Sequence, residues 1–296
     1  MRYKDHGRDI KGTKGSRIQV RHFGSGRIQR GKPAMIEYHP CFTKNDFGRL
    51  HLPVAPKCNI RCNYCSRGIT EDHRPGAYDF VLKPKDAVNV AKIVLKTRSD
   101  IKVVGIAGPG EPLYNRETFE TLLLLPDNVI KCLCTNGLLL PRYIQDLRDL
   151  GLRFLTITIN SIDADVAAKI YEFVEFEGKR FEGVDAAELL VNNQFRGLKL
   201  ASRFTFVKVN TVLIPGVNEE HIVEIAKKIR HYAVVQNIIP LIPCYRFSRI
   251  KQPSVELLRE VRERCAKYIP QIYHCATCRA DSVGKICERK KLSQFL

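Results

Sequence analysis

The chain has 296 residues, with 49 Lys+Arg against 31 Asp+Glu, a net charge of +18, and 44% hydrophobic residues. This is the balance of a globular chain long enough for one large domain; no run of about 18 apolar residues predicts a membrane span, and no apolar leader predicts secretion, so a cytoplasmic location is expected. The 11 cysteines are an odd number that cannot all pair with one another, and in a reducing compartment clustered thiols point to metal or catalysis rather than cross-links.

Residues 1–33 carry ten Lys and Arg against Asp5 and Asp9, are rich in Gly and Ser, and show no apolar periodicity. They read as a basic, flexible arm. Residues 34–296 read as one domain. Short apolar runs recur from there on: Leu50–Ala55, Ile101–Ala107, Val129–Cys134, Phe154–Ile159, Phe204–Ile214 and Val234–Ile242. Helical spacing lies between them, as at Ala87, Val90, Ala91 and Val94, and at Ile222, Ile225, Ala226 and Ile229. Six strands alternating with helices predict an α/β fold with a parallel sheet, whose chemistry sits at the carboxyl ends of the strands. The polar stretch Phe173–Gly197 reads as a long helical excursion, and the segment after Cys265 shows little strand or helix pattern.

The sharpest motif is Cys58-Asn-Ile-Arg-Cys62-Asn-Tyr-Cys65, just after the first run. Three thiolates on one tight loop can face one centre. A cubane has four irons, so three cysteines leave one iron open to a chelating ligand. The alternative is zinc, which needs a fourth ligand such as His73 and more often uses paired CxxC half-sites. Gly108-Pro109-Gly110-Glu111-Pro112 follows the second run, where glycines admit a ligand close to the backbone and Glu111 can accept from an ammonium group. Asn136 and Asn160 end the third and fourth runs, where turn or cap roles are the competing explanation.

Eight further cysteines need an account. Cys275-x-x-Cys278 is half of a metal site in a loop, and His39-Pro-Cys41 precedes the first strand. Cys132 and Cys134 alternate along the third run and so share a face; Cys132 reads as core and Cys134 as nearer a site. Cys244 falls near the open end of the sixth run. Cys265 reads as a buried helix residue, and Cys287 fits either a core or a site role.

The cysteine loop, placed one strand before Gly108–Pro112, resembles the radical S-adenosylmethionine (SAM) superfamily. His39-Pro-Cys41, Val54-Ala-Pro56, Ala107–Pro112, Cys134-Thr-Asn-Gly-Leu138, Thr158-Ile-Asn160, Leu213-Ile-Pro-Gly216 and Cys275–Gly284 resemble one family within it, the nitrogenase cofactor maturases called NifB, in a short form without a carrier domain. The resemblance implies a partial (β/α)6 barrel. It implies a 4Fe-4S cluster on Cys58, Cys62 and Cys65, with SAM held near Gly108, Gly110, Glu111, Asn136 and Asn160. It implies SAM cleavage to a 5′-deoxyadenosyl radical, and SAM-dependent methyl transfer.

It further implies two additional 4Fe-4S clusters that are fused, with a SAM-derived carbide and a sulfur, into an eight-iron precursor of the nitrogenase cofactor. Cys41, Cys275 and Cys278, with His39, would bind one of them. Where the family carries a further cysteine after the loop, residues 66–76 have none, so either Cys132, Cys134 or Cys244, with His73, would stand in, or the second cluster is bound differently. Implied partners are an iron–sulfur donor, a reductant protein and a carrier or scaffold. Two other readings remain: a paralogue acting on another metallocofactor, and an RNA-modifying radical SAM enzyme, which the basic arm would suit. The arm has only Tyr3 and Phe23 for base stacking, so nucleic acid is not an expected partner.

Overall fold

The computed structural model describes residues 33–67, 78–275, 279–286, 288 and 290–295. The basic arm before Pro33, His73, Cys278 and Cys287 lie outside the described residues. β1 (Gly48–His51) opens the main sheet. It stops short of the expected Ala55 because Pro53 has no N–H for the ladder. Leu52 still donates to Gly105 O, and Ala55 bridges to Pro109, so the chain runs on buried and extended. β2 (Ile60–Cys62) follows, then α1 (Pro84–Thr97). β3 (Ile101–Ile106), α2 (Arg116–Leu124), β4 (Ile130–Thr135), α3 (Ile144–Asp149), β5 (Phe154–Thr158) and α4 (Ala164–Ile170) continue the alternation.

The expected helical excursion begins instead as a hairpin, β6 (Tyr171–Phe176) and β7 (Lys179–Glu182). Its two-residue turn has both Glu177 (φ 51) and Gly178 (φ 75) left-handed, the conformation that matches strand twist. Only then does helix α5 (Gly183–Ala201) start. β8 (Phe206–Leu213), α6 (Ile222–Ile229), β9 (Val235–Pro240) and α7 (Val255–Ala266) complete the repeat. The carboxyl-terminal segment also departs from expectation. β10 (Ser282–Gly284) runs antiparallel to β1, and β11 (Lys290–Lys291) pairs with it.

The main sheet has the order β11-β10-β1-β3-β4-β5-β8-β9, its last six strands parallel. With helices after the strands, this is the partial (β/α)6 barrel. The two faces of its strands differ. Val104, Leu133, Leu155, Ile157, Val207 and Val209 pack with α1 residues Ala91 and Val94 and α6 residues Ile222 and Ile229 in one apolar core. The helices present the i, i+3, i+4, i+7 stripe that this burial requires.

The other face is polar. In register across the strands lie His51, Gly105, Cys132, Phe154 and Phe206. The next row is Cys134, Thr156, Lys208 and Val235. The third is Thr158, Asn210 and Asn237. Residues two apart share a face, so these rows line the concave side of the sheet.

Candidate functional site

Two groups of thiols stand at opposite ends of that concave face. The first is the loop of Cys58, Cys62 and Cys65 after β1. β2 pairs antiparallel with β6, with a register shift between Arg61 and Cys62. Asn63 is tied to the end of α4 by its N–H on Ile170 O (2.8 Å) and its Nδ2 on Lys169 O (2.8 Å). Cys65 N–H donates to Cys62 O at 3.0 Å, and Phe247 N–H to Asn63 O at 3.0 Å. A loop of this shape therefore needs no ligand to hold it.

Burial pushes the Cys58 thiol up to about 11, and the nearby Glu111 charge adds to it. Cys62 is pushed well above its ordinary value by burial and then by the charges of Cys65 and Cys58, so the thiols lie within electrostatic reach of one another. Buried thiols of this kind ionise only against a compensating cation. Beside them Asn59 Nδ2 is buried with no acceptor among the described residues. An iron–sulfur cluster answers both needs: iron accepts thiolates, and its sulfides accept N–H groups. Among the described residues no three Cys, His or carboxylate side chains gather around one metal ion.

The Gly108–Pro112 loop is laced to the backbone just before Cys58. Gly110 N–H donates to Ala55 O (2.5 Å) and Glu111 N–H to Lys57 O (2.8 Å). A Cβ on Gly110 would lie 2.2 Å from Lys57 O, so only glycine fits. Asn115 receives Lys57 N–H and returns Nδ2 to Lys57 O at 2.8 Å. The Glu111 carboxylate accepts from Leu113 N–H, Thr135 Oγ1 and Asn136 N–H at 3.1, 2.5 and 2.6 Å. Burial still raises it to about 7, against those three bonds.

Asn136 donates to Asn59 Oδ1 (2.8 Å) and accepts from Leu138 N–H (2.9 Å). Asn160 is fully buried: Nδ2 donates to the hydroxyls of Tyr64 (2.8 Å) and Tyr171 (3.1 Å), while Oδ1 accepts from Val212 N–H. Tyr64 in turn hydrogen-bonds the Cys62 thiol. Asn59, Tyr64, Tyr171 and Gln194, which holds Asn136 O and Thr158 O (both 2.9 Å), carry no mark in the sequence beyond their neighbours.

The second group lies at the foot of the sheet, not at its carboxyl end, and this corrects the expectation that the unusual residues gather there. Cys41 and Cys275 pack on one cluster of Phe42, Val103, Cys132, Phe154, Val235 and Ile272, near the starts of the strands. His39 is 1% exposed. Its Nε2 lies 3.1 Å from Cys132 Sγ, and its Nδ1 accepts Cys41 N–H at 3.2 Å. That pattern makes Nε2 the protonated nitrogen. Burial, then the charge of Lys208, holds the ring well below the usual histidine range, so it stays neutral.

His274 reaches Pro40 O at 2.9 Å, closing the foot from the carboxyl-terminal side. Cys132 is buried as expected, but as the partner of His39. Cys134 lies one step further along the same face and is half-buried. Cys244 follows β9 at the upper end, its carbonyl sharing Phe247 N–H with Asn63 O. Cys265 is buried in α7 beside Val261.

The Radical SAM superfamily model matches residues 52–229. The FeMo cofactor biosynthesis protein NifB of Methanocaldococcus infernus is 47% identical over 271 residues, covering 88% of this chain and 90% of that protein. The chain belongs to the NifB family of radical SAM proteins. The NifB of Methanocaldococcus jannaschii is 48% identical with the same coverage. In fold, the chain resembles Streptococcus suis SuiB solved with S-adenosylmethionine, at a TM-score of 0.57 and 15% identity, over 77% of this chain and 50% of that one. As a NifB-family radical SAM protein it uses a 4Fe-4S cluster and SAM. No described helix is long and apolar enough to cross a membrane.

Proposed function

We propose that this chain builds the precursor of the nitrogenase cofactor. It would join two four-iron clusters, with a carbon from a SAM methyl group and a sulfur, into one eight-iron carbide cluster. The observation that carries this reading is the second thiol group. An ordinary radical SAM reaction needs only Cys58, Cys62 and Cys65, yet His39, Cys41, Cys132, Cys134 and Cys275 converge on the concave face of the same sheet.

Cys58, Cys62 and Cys65 would hold the resident cluster, which supplies the electron that splits SAM. Gly110 lets the loop approach the cysteine segment, and Glu111 locks the end of β4 so that Asn136 and Asn59 face the site. Cys41, Cys275 and Cys278, with His39, would receive one precursor cluster as substrate. Cys134, between foot and loop on the same face, would hold the second. An iron–sulfur donor, a reductant protein and a carrier for the product are the partners this reaction requires.

Iron content tests the reading. Protein purified without oxygen should hold about 12 irons per chain, three cubanes, against about 4 for a simple radical SAM enzyme. Replacing Cys41 and Cys275 by alanine should remove about four of them while 5′-deoxyadenosine release persists. Release that depends on added tRNA, from a protein with four irons, would overturn it.

A further inference from the structure

Lys208 is buried, and among the described residues no carboxylate is hydrogen-bonded to it. It stands on β8 in register between Thr156 and Val235, on the concave face, and is 5% exposed. Its Nζ has one hydrogen-bond acceptor among the described residues, Cys41 O at 3.2 Å, and lies 5.3 Å from the Phe42 ring centroid. An ammonium has three N–H donors to satisfy. A buried cation without a paired anion costs several kcal/mol, and an arriving anion would offset that cost. Four thiols stand around it, Cys41, Cys275, Cys134 and Cys132, and ionising them would favour its charge. The histidine beside it, His39, is neutral and points its Nε2 at Cys132.

An iron–sulfur cubane with thiolate ligands carries net negative charge, and its sulfides accept N–H groups. We propose that Lys208 is the cation that holds the anionic iron–sulfur substrate on the concave face, by charge and N–H···S hydrogen bonds, between the foot thiols and the SAM end. This rests on the reading of the foot as a precursor-cluster site. It adds a residue that ligates nothing and yet decides whether the cluster stays. The level of Lys208 in the sheet, in one row with Cys134 and one step above Cys132, places the charge at the inner side of the foot cluster. There it would stabilise a cluster moving upward as well as one at rest.

The test compares anaerobically reconstituted wild type with Lys208→Met, which keeps the length without the charge, and Lys208→Arg, which keeps the charge. The readouts are iron and sulfide per chain, low-temperature electron paramagnetic resonance, and the melting temperature of each iron-free protein. Wild type with about 4 irons would refute the foot site itself. With wild type at about 12, Lys208→Met should fall to about 8 and lose the resonance of the foot cluster, while Lys208→Arg keeps both. Iron-free Lys208→Met should melt no lower than wild type, since it no longer buries an unpaired charge. Retention of all irons with an unchanged spectrum in Lys208→Met overturns the proposal, and so does equal loss in both variants with both iron-free chains folded. Should Lys208→Met fail to fold, Lys208→Gln, an uncharged donor, is judged by the same outcomes.

Discussion

The two ends of the sheet reach their chemistry by different routes. At the upper end three cysteines fall within one loop, and backbone hydrogen bonds from Ala55, Lys57, Asn63 and Ile170 set its shape. At the foot the thiols come from segments that are far apart in the chain. Cys41 precedes the sheet, Cys132 sits inside it and Cys275 follows its six parallel strands. They meet where Phe42 packs edge-on to Phe154, with ring centroids 4.9 Å apart, and Phe154 stacks on Phe206 at 5.4 Å. A local loop can be right before the rest of the molecule is. A site assembled by packing is only as good as the core that assembles it.

Three changes break or sharpen that contrast. The largest effect belongs to the foot. Phe154 is fully buried against His39, Phe42 and Phe206. Phe154→Ala should cost about 4 kcal/mol in denaturant unfolding and should release iron from the foot before the loop cluster. Equal loss from both ends would mean that they are not separately built.

The next effect is at the upper end and is read through pH. The Glu111 carboxyl lies at about 7 in the folded chain, against 4.5 for an ordinary glutamate. Between those values the folded state binds the proton and the unfolded state does not, so stability falls as pH rises through the window. The shift corresponds to about 3 kcal/mol. Unfolding of iron-free protein across pH about 4.5 to 7 should show this slope in wild type and lack it in Glu111→Gln. The smallest effect is Tyr64→Phe, which removes the hydroxyl between Asn160 and Cys62. It should cost about 1 kcal/mol and alter the resonance of the loop cluster alone, leaving the foot signal unmoved.

The six parallel strands and helices α1 and α6 were legible because the faces with which they pack on one another are apolar at strand and helix periods. The cysteine loop and Gly108–Pro112 were legible because their spacing is local. The β6–β7 hairpin was not, because Glu177-Gly178 lacks the usual Asn or Asp before the glycine. β10 was not, since three residues gain their meaning only from Arg49 and Leu50 opposite them. Lys208 is the sharpest case. A lysine within Phe206–Leu213 reads as a solvent-facing residue, and only the pairing with Thr156 and Val235 turns it inward. Cys132, read as core, is core, but the His39 contact that gives it a role spans a separation in the chain that no motif encodes.

The antiparallel pairing of β10 with β1 has a consequence in time. Chains are synthesised from the amino end, and domains organise as they emerge. All six parallel strands leave the ribosome before Cys275 and β10, whose partner β1 was made long before. Until that late segment folds back, with Arg49 Nη1 on Gly284 O at 2.7 Å, the nascent barrel has its loop thiols but an incomplete foot. On the function proposed above, a precursor cluster could load at the foot only after that late segment has folded back.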